Sequence, residues 1–210
     1  LPPFPPRRRG PATKALERRG PRAELTDLGA LALSRRIERG ETSAEDVMAA
    51  TLDRIAALNP ALTAIVSLRD RDTLMAEARA AGAAPRRSWL HGLPLAVKDL
   101  QAVAGIRSTW GSPLFADFVP ATDDMLPRRL RAAGAILIGK TNVPEFGLGS
   151  HSRNPVFGTT ANPYDTARTA GRSSGGAAAA LAARLLPVAD GSDMMGSLRN
   201  PAAYCNVHGM

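Results

Sequence analysis

GLPLAVKD, Gly92 to Asp99, is a short apolar run closed by a glycine on one side and by Lys98 and Asp99 on the other. No polar side chain interrupts Leu93 to Val97, which suits a strand covered on both faces. A second run of this kind, AILI, spans Ala135 to Ile138. Between them Thr122 to Ala133 reads as a helix, with Pro127 tolerable only in its first turn. Strand, helix and strand in this order predict a parallel α/β sheet. Gly175 to Leu185 follows as a buried, Ala-rich helix, and Leu186 to Ala189 as a further strand.

Upstream, the periodicity is helical. Leu25 to Arg39 has apolar residues at Leu25, Leu28, Leu31, Leu33 and Ile37, and Gly40 supplies a stop. Ser43 opens SAED, a capping signature, for a helix expected to end near Leu58 because Asn59-Pro60 follows. A third helix is expected over Asp70 to Ala81, closed by Gly82. The fold class is therefore α/β, an N-terminal helical layer followed by a mixed or parallel sheet covered by helices.

The formal charge of +8 is unevenly spread. Residues 1–22 hold seven Lys/Arg against one Glu, and the rest of the chain holds 20 basic and 18 acidic groups. Residues 1–24 are expected to form a disordered basic, Pro-rich tail, and 25–210 a domain. No nucleic-acid module is recognisable. A single cysteine, Cys205, excludes a disulfide within the chain and fits a reducing cytoplasm. No stretch reaches the roughly 18 apolar residues of a spanning helix, and no signal-peptide pattern opens the chain. The chain begins at Leu1, which reads as a processed or partial product.

Two further loops carry the chemistry. GRSSGG covers Gly171 to Gly176, and GSDMMGSLRNPA covers Gly191 to Ala202. Serine needs a base to become a nucleophile. His91, His151 and His208 stand in no recognisable arrangement with a serine. A lysine serves if burial makes it neutral, and Lys98, at the end of an apolar strand, is placed where active sites of open sheets gather. Two competitors are set aside. GAILIGKT, Gly134 to Thr141, satisfies the P-loop expression, but its interior is a strand by composition and Val143-Pro144 follows in place of a helix. Cys205 has no motif to support a thiol hydrolase.

GLPLAVKD, GRSSGG and GSDMMGSLRNPA, in this order and at this spacing, resemble the amidase signature family, from about Leu25 to the C-terminus. The resemblance implies an incomplete amidase-signature fold and a Ser-Ser-Lys triad: Ser197 as nucleophile, Ser173 as bridging serine beside a cis peptide bond, and Lys98 as general base. It implies an oxyanion hole of backbone N–H groups from Met194, Met195, Gly196 and Ser197. Ser174 would support the network, and Asp193 and Arg199 would hold the loop. The implied activity is hydrolysis of a small carboxylic amide to acid and ammonia or amine through an acyl-enzyme, with no cofactor and no metal. Two alternatives stand beside it: the A subunit of an aminoacyl-tRNA amidotransferase, and a catalytically dead amidase-like fragment.

Three departures from the family pattern matter. Arg172 replaces a glycine before the bridging serine, where a positive φ would strain it. Met195 stands where the family has glycine. The domain stops at Met210, short of the family length, so the isolated chain is expected to expose apolar surface and to aggregate or form a homo-oligomer.

Overall fold

The computed structural model describes residues 23–210, so the segment expected as a basic tail lies, apart from Ala23 and Glu24, outside the described residues. The helical layer is α1 (Ala23–Thr26), α2 (Ala30–Glu38), α3 (Ala44–Leu62) and, after β1 (Ile65–Val66), α4 (Arg71–Ala83). The helix expected over Leu25 to Arg39 is broken at Gly29, which takes extended backbone as the N-cap of α2. Splitting it lets Leu25 and Leu33 both reach the core. The far end closes in a Schellman motif: Gly40, at φ +70°, donates to Ile37 O and Glu41 donates to Arg36 O.

Ser43 and Asp46 form the expected capping box on α3. The helix does not stop at Leu58; it runs through Pro60 to Leu62. Burial of Leu62 holds the extra turn, and the Asn59 side chain satisfies backbone groups just beyond the helix end. Its Oδ1 accepts the N–H of Ala64 and Ile65, and its Nδ2 donates to Ile65 O. In α4, Gly82 is absorbed into the helix instead of closing it.

The sheet has the order β1-β3-β2, with β2 (Pro94–Lys98) parallel and β1 antiparallel to β3 (Ile136–Thr141). It is thus mixed. The crossover helix α5 is Met125–Ala132, shorter than expected: Asp124 before it keeps extended backbone, its carboxylate accepting the Ala102 N–H instead of capping the helix. Every residue of β2 and β3 is buried. Side chains alternate between the faces. Ala96, Ile136 and Ile138 join α3 and α6 (Gly175–Ala182) in one core, and Leu95, Val97 and Leu137 pack with Val103 and Ile106 in another.

That alternation positions the chemistry. Lys98 shares the parity of Ala96 and points toward the start of α6. Asp99 takes the opposite side, where it pairs with Lys140 at 3.5 Å. Helix α6 can lie this close because its face carries no bulk: a Cβ on Gly176 would come within 2.3 Å of the Asn142 N. The same close approach explains Gly139, the second glycine of the P-loop-like string. A Cβ there would meet the backbone of Val66, Ser67 and Leu68 at about 3 Å, so the glycine serves the packing of β1 and not a phosphate.

The expected strand over Leu186 to Ala189 does not form. Pro187 offers no N–H, Leu186 is buried in the α3–α6 core, and Val188 packs on the opposite one. Two hairpins absent from the sequence reading, β4–β5 (Arg153–Asn154, Gly158–Thr159) and β6–β7 (Ala161–Asn162, Asp165–Thr169), precede α6. The last helix, α7, is Arg199–Tyr204. Among the described residues no helix is long and apolar enough to cross a membrane.

Candidate active site

Three segments meet at the end of β2: Lys98 itself, the turn into α6, and the loop from Asp190 to Ser197. Lys98 is 1% exposed. Its Nζ donates to Ser173 Oγ at 2.8 Å, Ser174 Oγ at 2.8 Å and Ser192 Oγ at 2.9 Å, with the Ser192 carbonyl at 3.3 Å. Burial pulls this amine down from 10.5 to about 8, while the charges of Asp190 and Asp193 act in the opposite sense. An ammonium here is therefore close to losing its proton near neutral pH.

The turn into α6 is built to present the two serines. The Arg172–Ser173 peptide bond is cis. Gly171, at φ +89°, supplies the sharp entry, and a Cβ on it would lie 2.9 Å from the Pro201 Cα. Arg172 itself does not have a positive φ, so the strain expected there does not arise; the positive φ belongs to Gly171, which adopts it freely. The charges acting on Lys98 are those of Asp190 and Asp193, not of Arg172. Ser152, beside β4, accepts the Gly175 N–H through Oγ at 3.1 Å.

Ser197 joins the group through its backbone. Its carbonyl accepts the Ser174 N–H at 3.0 Å. Its hydroxyl donates to the Met194 carbonyl at 3.1 Å and not to Ser173. The structure thus brings Lys98, Ser173 and Ser174 into direct contact and holds Ser197 against them without joining its Oγ to Ser173.

The loop before Ser197 is pinned by Asp193. Its carboxylate accepts from Arg199 Nε at 2.9 Å and Nη2 at 3.1 Å, and from the N–H groups of Gly196, Leu198 and Arg199. The Arg199 hydrogen bonds hold this carboxyl far below the usual carboxylate range. Gly196, expected among the oxyanion donors, gives its N–H to Asp193 at 2.6 Å in this conformation. The N–H groups left for that role are those of Met194, Met195 and Ser197. Both methionine side chains are exposed.

Met195 has φ +65°, a region that costs a residue with a Cβ about 1–2 kcal/mol. Glycine avoids this but loses about 0.5–1 kcal/mol more entropy on folding. Met195→Gly is therefore expected to stabilise the protein by a net of about 1 kcal/mol, read as a raised denaturation midpoint. An unchanged or lowered midpoint would show that the left-handed backbone is not strained.

The competitors find other places. His91 donates through Nε2 to the Ala81 carbonyl at 2.9 Å, and His151 pairs with Thr169 Oγ1 at 3.1 Å. The Cys205 thiol is pushed up to about 12 by burial, which denies it a thiolate. Lys140 is fully buried and bonds the Gln101 carbonyl and Ser108 Oγ. A cleft of about 570 Å³ runs along α6, lined by Ser174, Leu181, Asp190, Gly191 and Leu198 among others, but neither Ser173 nor Ser197 lines it.

Two residues of the site escaped the sequence reading: Ser192 and Asp190. Ser192 sits in the quoted GSDMMGS string and could have been found there. Asp190 accepts the Lys98 N–H at 2.8 Å from 92 positions away, a contact no local pattern signals.

Comparison with known proteins shows the family. The Amidase family model matches residues 46–210. The chain is 45% identical over 181 residues to the A subunit of glutamyl-tRNA(Gln) amidotransferase from Azoarcus sp. (strain BH72), covering 85% of this chain and 37% of that protein. It is 47% identical over 175 residues to the protein of the same name from Thermus thermophilus, covering 83% and 36%. Among solved structures, the peptide amidase from Stenotrophomonas maltophilia superposes with a TM-score of 0.79 at 35% identity, over 84% of this chain and 38% of that one. The chain thus spans less than two fifths of the length of these relatives.

Proposed function

The chain belongs to the amidase family, and from that premise we propose that it transfers the acyl group of a carboxylic amide to Ser197 and then to water. The observation that carries this reading is the buried Lys98 amine, 2.8 Å from Ser173 Oγ and held near a titration point of about 8.

In the proposed sequence, Ser197 turns its hydroxyl from Met194 to Ser173. Neutral Lys98 takes the Ser173 proton as Ser173 takes that of Ser197. The Ser197 oxygen bonds to the amide carbon, and the developing oxyanion is met by the N–H groups of Met194, Met195 and Ser197. One such donor is worth about 10²–10³ in rate. The C–N bond breaks, and the leaving nitrogen receives its proton from Ser173, which is re-protonated by Lys98. Water, deprotonated by the same relay, releases the acid. Ser174 and Ser192 hold the Lys98 amine between these steps. Asp193 and Arg199 keep the donor loop closed. No cofactor or metal takes part in these steps.

A second reading narrows the substrate. The amidotransferase A subunits named above are more similar in sequence to this chain than the peptide amidase is. In that reading the amide is glutamine, the released ammonia passes to a companion protein, and the chain works within an assembly.

The test is to incubate the protein with glutamine, benzamide and a peptide amide, measuring ammonia, and to trap the acyl-enzyme with hydroxylamine. Ammonia together with a hydroxamate is expected. A strong preference for glutamine would favour the second reading. A folded protein giving neither product from any amide would leave only the binding-without-turnover alternative.

A further inference from the structure

Just beyond the Leu186 to Ala189 segment that was expected to form a strand, a side chain meets the end of β2. Asp190 Oδ1 accepts the backbone N–H of Lys98 at 2.8 Å. One carboxylate thus takes a backbone N–H at the strand end, on the residue whose amine reaches the serines.

Two cations face it from the sheet. Lys98 and Lys140 both act on Asp190, and burial pushes its carboxyl up to about 6. Lys140 is shared among Asp99, Asp190 and Asp124. Lys98 feels two carboxylates, Asp190 and Asp193. The two differ in what else they hold. Asp193 is clamped by the Arg199 guanidinium and by three backbone amides. Asp190 bonds the lysine's own backbone, and among the charges acting on Lys98 it is the larger.

We propose that Asp190 is a positioning residue for Lys98: its carboxylate, bonded to the backbone N–H of the last residue of β2, fixes that residue and sets a negative charge near the buried amine. The importance for catalysis rests on Lys98 being the base; the electrostatic coupling does not. A base that is too easily neutralised is a weaker proton acceptor, so a carboxylate at this place trades population of the neutral amine against its basicity.

The chain makes the test direct, because it has only three lysines, Lys14, Lys98 and Lys140. Protein labelled with ¹³C at the lysine ε carbon gives three signals, assigned with Lys14→Arg and Lys98→Met. The Lys98 signal is expected to titrate near 8, with a second, smaller inflection near 6 as Asp190 takes its proton. Asp190→Asn keeps an oxygen acceptor and removes the charge. In it the main midpoint should fall, the lower inflection should vanish, and the Lys98 amide should stay protected from hydrogen exchange. Asp190→Ala should lower the midpoint too and speed exchange of that amide about fivefold, as expected for one lost hydrogen bond.

An unmoved Lys98 midpoint in folded Asp190→Asn would overturn the proposal. If neither variant folds, the wild-type titration decides, and a single inflection would overturn it. These signals are read without substrate. Failure of amide turnover with the expected titrations would sink the acyl-transfer reading and leave this one standing.

Discussion

Replacing Ser197 with alanine is expected to abolish covalent labelling by a fluorophosphonate probe and, with it, amide turnover. The loss should reach on the order of 10⁴–10⁶-fold, since the side chains of such a relay act as a unit and nothing else supplies the bond-forming oxygen. The variant should fold. The Ser197 hydroxyl makes one hydrogen bond, to the Met194 carbonyl, worth about 1 kcal/mol at most. The contact that seats Ser197 against the α6 turn uses its backbone carbonyl and survives the change. Ser173 and Ser174 remain beside Lys98 in the variant as internal controls. A phosphonylated peptide containing Ser173 or Ser174, or labelling that persists at the wild-type rate, would show that the nucleophile is elsewhere.

Lys98→Met should cost about 10²–10⁴ in the labelling rate of Ser197, the range of a general base, with little effect on reversible binding of an amide. A loss confined to KM would instead make Lys98 a binding residue. The wild-type rate should rise about tenfold from pH 7 to pH 9, because an amine that titrates near 8 is mostly protonated at the lower value. That rise should be missing in the variant.

Stability gives an independent reading of the same group. The folded protein holds the Lys98 amine near 8, against 10.5 for an ordinary lysine. Between those values the unfolded chain binds more protons than the folded one, so this group's contribution to stability grows as pH rises from about 8 toward 10.5. Below about 8 the amine is charged in both states, and the folded protein bears the full cost of burying it. Lys98→Met removes that cost and flattens the slope above pH 8. A variant with the wild-type slope would mean that Lys98 is not the group that titrates.

Much of this frame is legible from neighbours in the chain. The Ser43–Asp46 capping box, the apolar runs that became β2 and β3, and the Ala/Gly face of α6 all obey rules that act over a few residues. Lys98, Ser173, Ser174, Asp193 and Arg199 were readable because three short strings hold them at fixed places. Misreadings arose where burial overrode a local rule. Pro60 should stop a helix, yet Leu62 is held in the core and the Asn59 side chain ties down the chain just after the helix end. Gly82 should close a helix and does not. Leu186 to Ala189 has the composition of a strand, but pairing needs N–H groups and a free edge, and Pro187 and Asp190 change both.

Local composition and spacing were enough to specify an α/β chain with a lysine at a strand end and two serine-bearing glycine loops. They could not specify the charge on that lysine, the partner of its backbone N–H, or which serines meet its amine. Those depend on desolvation and on contacts between residues that lie 75 to 94 positions apart, brought together only when the sheet, α6 and the Asp190–Ser197 loop pack. Periodicity and capping act over single turns and single strands. Electrostatics in a buried site acts across whatever the fold has placed within a few ångströms, and that placement is a property of the packed core.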